Sequence, residues 1–188
     1  MKKYKLAIIG SRETDQETMQ EMYAQLLAGI NILLEKGYDL EITSGGCWKG
    51  PDQLQFMLAR YFKGDPRLTF ICYLPDDKKL WLKEKNPFVD FRVIEQTPLY
   101  QEIVRSLHPA PDYLNDWAHK LHGRNLNIIM GDDLHTPSDA VYYSAPINKQ
   151  GNPTGGTFMG VQYAKSVNVP TFHHANQGQD WLASLRLL

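Results

Sequence analysis

Tyr38-Asp39-Leu40-Glu41-Ile42-Thr43-Ser44-Gly45-Gly46-Cys47-Trp48-Lys49-Gly50-Pro51-Asp52 is the stretch on which the fold turns. Its first six residues read as a strand. They run into a turn with three glycines, and Pro51 then stands where a helix begins, because its fixed φ and missing N–H suit the first helical position. Leu54, Met57, Leu58 and Tyr61 follow at helical spacing. Upstream, Tyr4 to Ile9 is a short apolar run ending at Gly10-Ser11-Arg12, the profile of a strand buried on both faces. Between the two strands, Met19, Met22, Tyr23, Leu26, Leu27, Ile30, Leu33 and Leu34 form one helical stripe. Thr14 and Glu17 suggest a capping box at its start, and Gly37 a left-handed cap at its end. Downstream, Leu68 to Tyr73 reads as a third strand. The alternation β-α-β-α-β with short connections predicts an α/β fold, a Rossmann-like doubly wound and mostly parallel sheet.

The remainder extends the pattern less clearly. Asp76 to Lys85 is a charge cluster, expected as a solvated loop or short exposed helix. A strand over 91–95, a helix over 99–107 and a break at Pro109-Ala110-Pro111 come next. A longer helix from Tyr113 to Ile129 carries Gly123-Arg124-Asn125, and a strand over 138–143 leads to a turn-rich loop over 148–156. A helix over 157–166, a strand over 169–173 and a terminal helix around 181–185 close the sequence. With no internal repeat and no linker composition, residues 1–188 read as a single domain, and 74–122 is the segment hardest to assign.

Composition narrows the function. With 20 Lys+Arg against 21 Asp+Glu, the net charge of -1 disfavours a protein coated in nucleic acid. No apolar run approaches the roughly 18–20 residues of a membrane span, so no membrane anchor is expected. Cys47 and Cys72 form no CxxC pair and read as buried thiols, in keeping with a reducing cytoplasm. His119 and His122 stand three apart with no third ligand spaced to join them, and His173-His174 point to opposite sides of a strand, so no metal site is expected. The P-loop, dinucleotide and nucleophile-elbow fingerprints are all missing, which excludes their cofactors and chemistry as a starting expectation.

What remains are three glycine turns at the carboxyl ends of strands, where open α/β sheets bind ligands. They are Gly10-Ser11-Arg12, Ser44-Gly45-Gly46 with Gly50, and Gly155-Gly156-Thr157. Glycine lets a backbone approach a ligand closely, and the helix beyond offers unpaired N–H groups, which together suit an anion.

Four pieces in order carry a family resemblance. They are the strand with Gly10-Ser11-Arg12; the strand with Ser44-Gly45-Gly46, Gly50, Pro51 and Asp52; Gly123-Arg124-Asn125 with Ile128-Ile129 ahead of Ser138-Asp139-Ala140-Val141; and Gly155-Gly156-Thr157 with Val161 and Ala164 ahead of Val169-Pro170. The set resembles the SLOG superfamily, which includes the DNA-processing protein DprA, the LOG phosphoribohydrolases and the YspA-like proteins. The resemblance implies a cleft for a nucleotide or nucleotide-derived ligand. Arg12 would pair with phosphate, and Ser44 to Gly46 and Gly155 to Thr157 would offer backbone amides. Asp52 would accept from a ribose hydroxyl or merely complement its helix dipole. Arg124 with Asn125 would serve the ligand or a structural network, the other reading being an ordinary surface arginine. The LOG enzymes carry a glutamate where this chain has Gln162, and an amide cannot act as the carboxylate does. A binding role as sensor, carrier or sequestering module is therefore expected ahead of two alternatives. One is DprA-like binding of single-stranded DNA, using Arg12, Lys49, Arg124 and Lys149 with Trp48 and Tyr73 as stacking surfaces. The other is cleavage of a nucleoside monophosphate, with Glu13, Asp15 or Asp52 recruited in place of the glutamate. The resemblance also implies a homo-oligomer.

Overall fold

Successive residues of an extended chain point to opposite sides, and strand β1 (Lys2–Gly10) uses both. Leu6 and Ile8 enter one apolar core, Ala7 and Ile9 the other. The computed structural model describes residues 2–188, and among them six strands pair in parallel in the order β4-β3-β2-β1-β5-β6. The remaining strands are β2 (Tyr38–Gly45), β3 (Leu68–Leu74), β4 (Asp90–Val93), β5 (Ala140–Ser144) and β6 (Thr171–His173). Helices α1 (Gln16–Glu35), α2 (Asp52–Phe62) and α7 (His174–Leu187) cover one face. Helices α4 (Pro98–Leu107), α5 (Asp116–Met130) and α6 (Gly156–Ser166) cover the other, and α3 (Leu82–Lys85) is a single turn near the β4 edge. This is the Rossmann-like, doubly wound sheet in one domain, all parallel where a mostly parallel one was expected.

The order of strands places a crevice at one edge of the sheet. The chain steps outward from β1 through β2 and β3 to β4, then returns to lay β5 on the far side of β1. Connections leaving β1 and β5 therefore diverge, opening a crevice at the carboxyl ends of those two strands.

Several boundaries differ from those read in the sequence. Asp15, not Thr14, caps α1: its carboxylate accepts from the Thr18 amide at 2.8 Å, while the Thr14 hydroxyl donates to the Ser11 carbonyl at 2.8 Å. The capping box expected at Thr14 and Glu17 does not form, because that hydroxyl is already engaged and a carboxylate better complements the helix dipole. Gly37 does end the helix in the left-handed region, at φ 79°, donating to the Leu34 carbonyl at 3.0 Å. The charge cluster folds as a 3-10 turn over Asp77–Lys79 and then α3. A 3-10 turn over Pro111–Tyr113 precedes α5, which starts at Asp116 with Asn115 as its cap rather than at Tyr113. The terminal helix begins at His174, a full two turns before the residues that announced it. Among the described residues no helix is long and apolar enough to cross a membrane.

Candidate ligand cleft

A cavity of about 620 Å³ opens at the carboxyl ends of the strands, within the size range of small-molecule sites. The three glycine turns converge on it. Gly10 ends β1 and Ser11 and Arg12 follow it, Gly46 and Asp52 flank the turn after β2, and Gly155, Gly156 and Thr157 open α6. Arg124 and Asn125 reach it from α5. Ser44, Gly45 and Gly50 do not line it.

Those three residues build the frame instead. The Ser44 hydroxyl donates to the Ile8 carbonyl at 2.6 Å, tying β2 to β1. Gly50, at φ 84°, packs on the Ser11 backbone, where a Cβ would stand 2.6 Å from the carbonyl oxygen. Gly45 makes room for an arginine: a Cβ there would fall 1.3 Å from Arg124 Nη1. The turn that follows is held on several sides. Asp52 accepts from the Cys47 amide at 2.9 Å, Gln55 donates to the Gly45 carbonyl at 2.5 Å, and Lys79 donates to the Gly46 carbonyl at 2.8 Å. The loop is thus held in place by side chains of the protein itself.

Asp52 and Arg124 take roles the sequence left open. Arg124 is 7% exposed, so it is no surface arginine, and its Nη1 lies 3.6 Å from the Asp52 carboxylate, itself 6% exposed. Asp52 gives one oxygen, Oδ2, to this pair and to the Cys47 amide, while Oδ1 meets only the Ser44 hydroxyl at 3.4 Å. Nε and Nη1 of Arg124 and Oγ1 of Thr157 are buried without hydrogen-bond partners.

The glycine turns differ in what they offer. The Ser11 amide donates to the Ser144 carbonyl at 2.9 Å and the α1 terminus is filled by Asp15, so the first turn contributes chiefly the exposed Arg12 side chain. Ser44 and Gly45 end β2 in register with Cys72 and Tyr73, so they belong to the sheet rather than to an amide cradle. The third turn is the open one. Gly155, at φ 66°, carries no capping side chain, and among the described residues no turn or side-chain hydrogen bond occupies the amides of Gly156 and Thr157. An eleven-residue helix thus presents its bare positive end to the cleft.

The rest of the wall comes from the segment that sequence reading could not assign. Leu74, Lys79, Trp117, Leu121 and His122 all line the cleft. His122 is buried beside His108, ring centroids 5.2 Å apart, and its Nδ1 has no partner. Burial first, and then the charges of His108, His119 and Arg124, push its pKa down to about 4. A folded-state value below the unfolded 6.5 means that the unfolded chain binds the proton more readily. Stability is therefore lost as pH falls from about 6.5 toward 4, by roughly 2 kcal/mol after allowing for partial solvent screening. Urea midpoints taken across this window should drop less for His122→Gln than for the wild type, and parallel curves would disprove the assignment.

Other expected contributors lie elsewhere. Tyr73 is fully buried in the core and cannot stack on a base; Lys49 and Lys149 are exposed but outside the cleft, as is Gln162. Among the described residues no group of three His, Cys, Asp or Glu side chains could hold a metal ion. The chain matches no protein-family model, and a search of curated proteins returns no match.

Proposed function

We propose that the cleft binds a nucleotide-derived phosphate ligand, and that the protein acts as a sensor, carrier or sequestering module of the kind its resemblance to the SLOG superfamily implies. The observation that carries this reading is the set of buried donors without a hydrogen-bond partner, Nε and Nη1 of Arg124, the latter only ion-paired with Asp52 at 3.6 Å, and Oγ1 of Thr157, together with the uncapped start of α6. Each buried polar group left unpaired costs about 1–3 kcal/mol, so a guest rich in acceptor oxygens recovers what the empty fold gives up. Arg12, exposed at the rim and free of any ion pair among the described residues, adds a planar cationic donor suited to phosphate.

Charge supports a small guest over a DNA strand. Arg12, Lys79 and Arg124 are matched around the cleft by Glu13, Asp52 and Asp76, and a polyanion is held by a surplus of cations. Glycosidic cleavage has less support than binding, because the catalytic position of the LOG enzymes corresponds to Gln162, outside the cleft.

The test is calorimetry against mono-, di- and cyclic nucleotides, with ribose 5-phosphate and inorganic phosphate alongside. Arg12→Ala should weaken the best of these about tenfold or more, the worth of one charge-assisted hydrogen bond, and leave the urea midpoint unchanged. A flat response to the whole panel, or an Arg12→Ala variant that binds as the wild type does, sinks the proposal.

A further inference from the structure

The phosphate end accounts for only part of the cavity. Part of the remaining wall is apolar, with Leu74, Pro75, Ala118 and Leu121 accompanied by two tryptophans. Trp48 sits on the turn after β2, leading to the α2 face of the sheet. Trp117 lies in the first turn of α5, on the opposite face. Both line the cleft, yet Trp48 is 72% exposed and Trp117 44%. A single exposed aromatic is ordinary, but leaving two of the largest apolar side chains in water around one cavity forgoes burial that the fold could have used.

The surroundings of the two rings indicate what they await. Among the described residues neither ring pairs with another aromatic ring. Lys78, which does not line the cleft, holds its ammonium 5.4 Å from the centre of the Trp117 ring. Its neighbour Lys79 ties the same segment to Gly46, two residues before Trp48. The Lys78–Lys79 segment thus contacts the Trp117 ring and the turn that carries Trp48, and both rings line the cleft.

We infer that Trp48 and Trp117 form a clamp for a planar aromatic base, so that the ligand is a nucleoside phosphate seated with its phosphate at the start of α6 and its base between the tryptophans. This rests on the phosphate reading above and adds a requirement for the base. Stacking on an indole favours any planar heterocycle, so discrimination should fall on the presence of a base before its identity.

Calorimetry with adenosine 5′-monophosphate and ribose 5-phosphate separates the two claims. The wild type should prefer the nucleotide by roughly tenfold to a hundredfold, the usual worth of base stacking. Trp117→Ala should remove most of that preference without changing the affinity for ribose 5-phosphate, and Trp117→Phe should restore much of it. Trp48→Ala, on an exposed turn, makes the same test should the helix variant fold poorly. Equal binding of both probes by the wild type, an equal loss of both in Trp117→Ala, or a phenylalanine variant that behaves as alanine overturns the clamp and leaves the phosphate site standing. Binding of neither probe overturns both.

Discussion

Arg124→Ala should lower the stability of the protein by about 3–5 kcal/mol and abolish binding at the cleft, the largest functional effect expected of any single substitution here. The stability cost arises at Asp52. With the guanidinium gone, a 6% exposed carboxylate keeps the Cys47 amide and loses its counter-charge, and an uncompensated buried charge is far more costly than a broken surface pair. Adding Asp52→Asn should restore most of the stability, because the amide oxygen still accepts from Cys47 and carries no charge to strand. It should not restore binding, because the donors of Arg124 remain missing. Urea denaturation of the four members of this cycle, read beside calorimetry, separates the structural contribution of the pair from its contribution to the ligand. A loss below about 1 kcal/mol for Arg124→Ala would mean that the Asp52 charge finds solvent, and the buried pair would no longer explain the glycine at position 45.

Gly45 shows which part of the site the sequence disclosed and which it did not. A glycine turn after a strand is visible, and its usual reading is an amide cradle. The fold uses Gly45 differently, as the gap through which a side chain from a distant helix reaches Asp52, a relationship between positions 45, 52 and 124 that no local spacing records. Gly155 and Gly156 stand where a local reading puts them, at the start of the helix that follows them, because their neighbours are local. Trp48 was visible as a candidate stacking surface, but Trp117 was hidden for another reason. Residues 74–122 fold as two 3-10 turns, the single-turn α3, the short strand β4 and the ten-residue α4 before α5 begins, so their bearing on the cleft depends on the sheet order, which brings the ends of β1, β2 and β3 together. Long periodic stripes, by contrast, betrayed α1 and α2, because burial on one face leaves a mark at every turn, and short apolar runs betrayed the central strands, which are buried on both faces.

The same contrast governs α7 and the second large effect. Its first half, His174 to Asp180, is polar and contains Gly178, so nothing apolar announced a helix. Packing explains the pattern: His174 hydrogen-bonds Tyr142 at 2.6 Å, and Gly178 lies where a Cβ would come within 2.2 Å of Gln25 on α1. Trp181 then fills the core completely, its ring 4.9 Å from that of Tyr142 and its Nε1 donating to the Tyr4 hydroxyl at 3.4 Å. Trp181→Ala should cost about 3–5 kcal/mol, the toll of a large aromatic cavity. The partner position gives the sharper test. Gly29 interrupts α1, and helix propensity alone says that alanine should gain about 1 kcal/mol there. A Cβ at Gly29, however, would meet Trp181 Cη2 at 2.3 Å, and a rigid ring held on all sides cannot swing away. Gly29→Ala should therefore lose about 1–3 kcal/mol in the wild type and become stabilising once Trp181 is alanine. A stabilising effect in both backgrounds would show that the ring yields. Trp181 packs near Tyr4, toward the opposite end of β1 from Gly10, so its folded variants should retain the affinity of the cleft, which separates the core that sets the sheet from the edge that meets the ligand.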